Sequence, residues 1–179
     1  MAAQMTPEQG LFLLHSVFLP ALKNEHRITV KVLEAVPADK PDYRPDAHSR
    51  SALDLASHIA IAETRFLDGV ASGAFNFASG KPESIKTTKD VAAWYAADFE
   101  KNFRRIEKMS GEQLVKMVDF RGMFQMPAVA FLQVTMHHSI HHRGQLCAYL
   151  RAMGGKVPSV YGESYDDAEA KKAQAAAKD

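Results

Sequence analysis

The stretch Met136-His137-His138-Ser139-Ile140-His141-His142-Arg143-Gly144-Gln145 decides how this chain is read, because four of its eight histidines fall within six positions there. The run contains two overlapping His-x-x-x-His pairs, His137/His141 and His138/His142. On an α-helix, residues four apart lie one turn apart on the same face, close enough for two imidazoles to share a metal ion. The plainer alternative is a solvated polar face.

Helical phase separates the two pairs. With His138 at 0° and a step of about 100° per residue, Phe131, Tyr149, His142, Gln145, Val134 and Met153 all fall within about 60° of it. His141 lies at about −60° and His137 at about −100°, on the flank of that stripe. Packing therefore turns His138 and His142 inward. Two buried imidazoles need partners, and a shared metal ion supplies one through their unprotonated nitrogens. Two histidines make an incomplete site. The one other histidine on an inward helical row is His58, which alone reads more readily as an ordinary core histidine. Three histidines with an open position describe a catalytic or ligand-binding metal site rather than a closed structural one. Cys147, on the opposite side of the wheel, is not expected to contribute.

The far side of the same helix carries Val129, Leu132, Met136, Ile140, Cys147 and Leu150, interrupted by Arg143 and Arg151. A helix apolar on two sides is buried on two sides. Either the bundle covers both, or part of this face joins a second copy; the expectation favours a homodimer. Arg143 points away from the metal row and reads as a surface or interface ion pair.

Outward from this helix the chain is helical throughout. Thr6-Pro7-Glu8-Gln9 forms a capped start, and an inward row follows through Leu11, Phe18, Leu22, Glu25, Thr29, Val32/Leu33 and Val36. Pro20 is expected to kink or divide this helix. Glu25 sits at an apolar angle and has two readings. It is a stripe-edge residue whose head reaches water, or a carboxylate turned toward the histidines as hydrogen-bond acceptor or proton acceptor. A second helix starts near Ser49 or Ser51, runs inward through Leu55, His58/Ile59, Ala62, Phe66 and Gly69, and ends around Gly73. The connection Ala74–Lys86 resembles a phosphate loop only superficially, because its glycine spacing is wrong and Pro82 follows the lysine. A third helix opens at Thr87 and buries Val91, Trp94/Tyr95, Phe99, Phe103, Ile106 and Met109. A short helix follows from Ser110 to about Met117, and Phe120–Phe124 reads as a turn or short extended piece. The last long helix is expected from Pro127 to about Met153, closed by Gly154-Gly155. Residues 1–5 and 168–179 read as flexible ends, the latter as a frayed helix or a disordered tail.

These elements make an all-α fold, a four-helix bundle with a short extra helix after the third, in one domain of 179 residues with 46% apolar content. A net charge of +1 without long charged blocks argues against nucleic-acid or membrane-surface partners. No apolar run approaches the ~20 residues of a membrane span. Met1–Met5 lacks the features of a secretory signal, and a lone cysteine fits a reducing cytoplasm.

Three pieces together resemble the DinB-like (DinB/YfiT) family of metalloenzymes: Leu55-Ala56-Ser57-His58-Ile59, His138 through Gln145, and Val157-Pro158-Ser159-Val160-Tyr161-Gly162. Glu25 with Thr29 and the lead-in Pro45–Ser51 are similar as well, so the resemblance spans nearly the whole chain. It implies a four-helix bundle, often dimeric, with zinc or nickel held by His58, His138 and His142; iron and copper suit the same imidazoles. It also implies activities such as thiol-dependent transfer, with a low-molecular-weight thiol as co-substrate. His137 and Ser139 stand where Asn and Glu or Gln are common, which bears on the substrate more than on the metal.

Two functions follow as expectations. The first is a metal-dependent S-transferase or hydrolase acting on a small molecule, with Glu25 as proton acceptor and Gln145, one turn beyond His142, lining the pocket. The second is a non-catalytic metal- or ligand-binding stress-response protein.

Overall fold

A computed structural model describes residues 4–78 and 80–177; the ends expected to fray at residues 1–3 and 178–179 lie outside it. The elements in order are α1 (Pro7–Phe12), a π-helical segment (Leu13–Phe18), α2 (Leu19–Glu34), α3 (Ala52–Ser72), α4 (Thr88–Glu107), the short α5 (Gly111–Val115), β1 (Met117–Phe120), β2 (Phe124–Pro127), α6 (Phe131–Ala152) and α7 (Tyr165–Ala176). The first three are continuous, so the bundle has four long members: α1–α2, α3, α4 and α6. The chain is an all-α bundle, and α3 packs against both α4 and α6 while α2 closes the other side of each.

Four helix starts are marked by side-chain caps. Thr6, Thr87 and Ser110 form reciprocal capping boxes with Gln9, Asp90 and Gln113, and Ser51 accepts from the Asp54 N–H. These bonds satisfy amide groups that a helix start otherwise leaves unpaired. At the ends, Gly73 (φ 73°) terminates α3 and Gly154 (φ 74°) terminates α6 in the left-handed conformation that glycine adopts without steric cost.

At Pro20 the first helix runs on without a break, through a π-helical segment. The proline lacks the N–H that would continue the ladder, and the preceding turn widens so that the Leu19 N–H donates to the Leu14 carbonyl, five residues back. The extra residue rotates the buried stripe. Gly10 before the π segment and Leu14 within it face inward, and Leu11, expected inside, is 36% exposed.

The expected turn or short extended piece before the last helix is present, in a more regular form. The Phe120–Phe124 piece is the bend of an antiparallel hairpin, with Met117 opposite Pro127 and Phe120 opposite Phe124. Its turn places Arg121 (φ 59°) and Gly122 (φ 71°) in the left-handed region, and the Asp119 carboxylate accepts from the Gly122 N–H at 2.8 Å. Pro127 ends β2 instead of starting the last helix; one 3-10 turn, Ala128–Ala130, then leads into α6. The C-terminal stretch is helical earlier than expected, as α7, which Ser164 caps and which buries none of its residues.

The second apolar side of α6 is largely covered by the chain itself. Val129, Leu132 and Leu150 are buried, whereas Met136, Ile140 and Cys147 remain half-buried. Among the described residues no helix is long and apolar enough to cross a membrane.

Candidate metal centre

The sequence places His138 and His142 one turn apart on α6, and the α3–α6 packing brings His58 against both. The Nε2 atom of His58 lies 3.2 Å from Nε2 of His142 and 3.2 Å from Nε2 of His138. All three side chains are half-buried, and His137 and His141 are exposed, as their helical phase requires. Among the described residues no cysteine or carboxylate joins the trio.

The spacing fits a shared cation. Imidazole nitrogens bind zinc-like ions at about 2.0–2.1 Å, so two such nitrogens stand roughly 3.4 Å apart at a tetrahedral angle and roughly 2.9 Å apart at a right angle. Both separations from His58 fall between these limits, and the three ligand atoms all lie within 4.8 Å of one another. The protonation state fits too. Burial is the main influence on His58 and His138, pushing each down to about 4, and the neighbouring imidazoles and Arg50 push the same way. His142 is lowered chiefly by burial as well, partly opposed by its bond to Gln145. Near neutral pH the three rings are therefore uncharged, the form that can donate a lone pair.

Gln145 lies where it can set the orientation of one ring. Its Oε1 is 3.1 Å from Nδ1 of His142. With Oε1 accepting a hydrogen bond from Nδ1–H, His142 is held in the tautomer whose Nε2 is unprotonated and aimed at His58. On the other flank, Phe66 approaches His138 with ring centroids 5.9 Å apart. Phe66 also stacks on Phe120 and meets Phe75 edge-on, so an aromatic wall from α3, its following loop and the hairpin borders the centre.

Glu25 is brought elsewhere. Its Oε2 accepts from Nη2 of Arg143 at 2.6 Å and from the Tyr161 hydroxyl at 2.7 Å. Its head neither reaches freely into water nor bonds an imidazole. Arg143 is correspondingly not a surface residue: it is 1% exposed, and its Nη1 also donates to Thr29 Oγ1 and to the Glu25 carbonyl. The wheel placed Arg143 away from the metal row correctly, but α2 lies across that side of α6 and closes over it.

A second buried acid escaped the sequence reading. Glu63 on α3 is 2% exposed and accepts from the Tyr95 hydroxyl at 2.6 Å and from Ser139 Oγ at 2.5 Å. Burial raises its pKa, and the two hydroxyls and Arg143 oppose that shift. A signal existed, because Ala52, Ala56, Ile59, Glu63, Leu67 and Val70 form a continuous helical stripe with a carboxylate in its middle. Through Ser139, which is adjacent to His138, this acid ties α3 to α6 close to the histidine trio.

A helical bundle with three histidines converging from its second and last long helices defines the class of this protein. Residues 7–175 match the DinB family, and the chain belongs to it. It is 32% identical over 132 residues to the uncharacterized protein YjoA of Bacillus subtilis (strain 168), which covers 72% of this chain and 84% of that one. The crystal structure of the same DinB-like YjoA superposes with a TM-score of 0.68 over 82% of this chain and 99% of that one, at 25% identity. A DinB-like protein from Bacillus cereus superposes with a TM-score of 0.71 over 82% and 97%, at 24% identity, a likeness of fold.

Proposed function

We propose that the protein is a divalent-metal-dependent enzyme that acts on a small molecule, as a low-molecular-weight-thiol S-transferase or a hydrolase. The observation that carries this reading is the convergence of the Nε2 atoms of His58, His138 and His142 without a fourth protein ligand among the described residues. A site with three protein ligands keeps a position for a reactant, unlike a closed structural site. A divalent cation there, zinc or nickel before iron or copper, supplies Lewis acidity that makes a water or a small thiol nucleophilic near neutral pH. The chain supplies neutral imidazoles, the Gln145 bond that orients His142, and an aromatic wall that limits water on the His138 side. Glu25 braces α2 against α6 through Arg143 in this reading, and Gln145 holds a ligand ring. A second copy docked on the half-buried Met136, Ile140 and Cys147 would complete the outer side of α6; a monomeric mass at micromolar concentration would count against it.

The test is metal analysis of purified protein beside a screen of thiol-conjugation and hydrolysis substrates, with His138→Ala as comparison. The wild type is expected to hold about one ion per chain and the variant far less. Equal metal content in the two would overturn the site. Full metal content without turnover on either substrate panel would overturn the enzyme reading while leaving the metal.

A further inference from the structure

The charges around the three histidines are one-sided. Groups whose charge bears on these imidazoles are one another, His141, Arg50 and Arg65, with no carboxylate among them. Asp54, one turn before His58 on α3, is engaged by Arg44 at 3.5 Å. Three neutral imidazoles leave a divalent ion's charge unneutralised, and the ion's own charge must be counted with its surroundings.

Arg50 is placed to meet what would balance that charge. It stands immediately before the N-cap of α3, and the Tyr149 hydroxyl donates to its carbonyl at 3.3 Å, pinning its backbone onto α6. Tyr149 lies two turns beyond His142 on the same stripe, and Ser51 two turns before His58, each about 10 Å along its helix. Arg50 thus stands where the start of α3 meets the C-terminal half of α6, about two turns along each helix from the histidines. Its side chain is exposed, and among the described residues its guanidinium makes no hydrogen bond or ion pair. A guanidinium is a planar fork suited to two oxygens of one anion.

We propose that the open side of the three-histidine centre is a subsite for an oxyanion, with Arg50 as its anchor, so that the substrate carries a carboxylate or phosphate group beside its reacting end. The proposal rests on the metal reading above, and its test separates the two. The full-length protein is loaded with cobalt(II), whose visible absorption reports its surroundings, and titrated with inorganic phosphate in one arm and acetate in the other. The wild type is expected to give saturable changes. Arg50→Gln is expected to take up cobalt equally but bind at least one of the two anions about tenfold more weakly, since a charge-assisted bond is lost. Arg50→Lys should fall between, and Arg104→Gln, which removes an exposed arginine of α4, should match the wild type. The arm that weakens identifies carboxylate or phosphate as the preferred group. Arg50→Gln binding both anions as tightly as the wild type overturns the subsite while leaving the metal centre. Failure of the wild type to take up cobalt overturns the metal centre, and the subsite with it.

Discussion

Arg143 carries a charge into the core, and it is tolerated because four acceptor atoms surround its guanidinium: the Glu25 carboxylate and carbonyl, Thr29 and Tyr161. Deleting one member of such a pair leaves the other buried and uncompensated, which typically costs about 3–5 kcal/mol. Arg143→Ala is therefore expected to lower unfolding free energy by about that amount in urea melts, with Glu25→Ala close to it. Tyr161→Phe, which removes one hydroxyl from a 62% exposed residue, should cost far less. A double variant lacking both charges should lose less than the sum of the singles, because the residues share one interaction. Gln145 makes a contrasting case. It is exposed, and its contact is to Nδ1 of His142. Gln145→Ala should leave the urea midpoint almost unmoved yet weaken metal binding about 10–100-fold in chelator competition, the usual cost of losing a partner that orients a ligand. Unchanged metal affinity would remove Gln145 from the site.

Among the elements, close approach of backbones is tested at Gly111, where a Cβ would stand 2.6 Å from the Pro7 carbonyl oxygen. Gly111→Ala must push α5 away from α1 and is expected to cost about 1–3 kcal/mol, read as a lower melting temperature. Gly80→Ala, with nothing within 4 Å of its Cβ position, is the neutral comparison. The same elements explain what could be read without coordinates. The phase of α6 was legible because its histidines and aromatic residues occupy one arc, so His138 and His142 separated cleanly from His137 and His141. His58 was legible only in company, since a lone histidine on an apolar row has several explanations. The Arg143–Glu25 pair was not: a wheel gives the angle of a side chain but not which helix lies across from it. The π turn before Pro20 was hidden because a proline announces a missing N–H without saying whether the helix bends, breaks or widens. The hairpin was hidden for another reason. Its four-residue strands are too short for alternation to declare itself, and Asp119 and Gly122, which fix its bend, look like any loop.

Over the whole molecule, the buried histidines couple stability to pH and, on the proposed metal reading, to metal as well. His26 stacks on Phe99 with ring centroids 3.8 Å apart, and its Nδ1 is buried without a hydrogen-bond partner. Burial pushes its pKa down to about 4, as it does for His58 and His138 in the metal-free protein. An unfolded chain binds these protons near the ordinary value of about 6.5. Below that pH the unfolded state holds more protons than the folded one, so stability rises with pH across the window. The stabilisation is complete above about 6.5 and is lost as pH falls toward 4. The melting temperature of metal-free protein is expected to drop steadily from pH 7 to pH 4.5, and His26→Phe should flatten that slope by removing one of the groups that contribute to it. A metal bound to the neutral imidazoles adds its own linkage: at a free concentration a hundredfold above Kd it contributes about 2.7 kcal/mol. Protons compete with it for the Nε2 atoms. The gap between metal-loaded and metal-free melting temperatures should therefore narrow as pH falls, and it should vanish at every pH in His138→Ala while the His26 slope persists. A gap that stayed constant from pH 7 to pH 4.5 would mean that the stabilising ion binds somewhere other than these histidines.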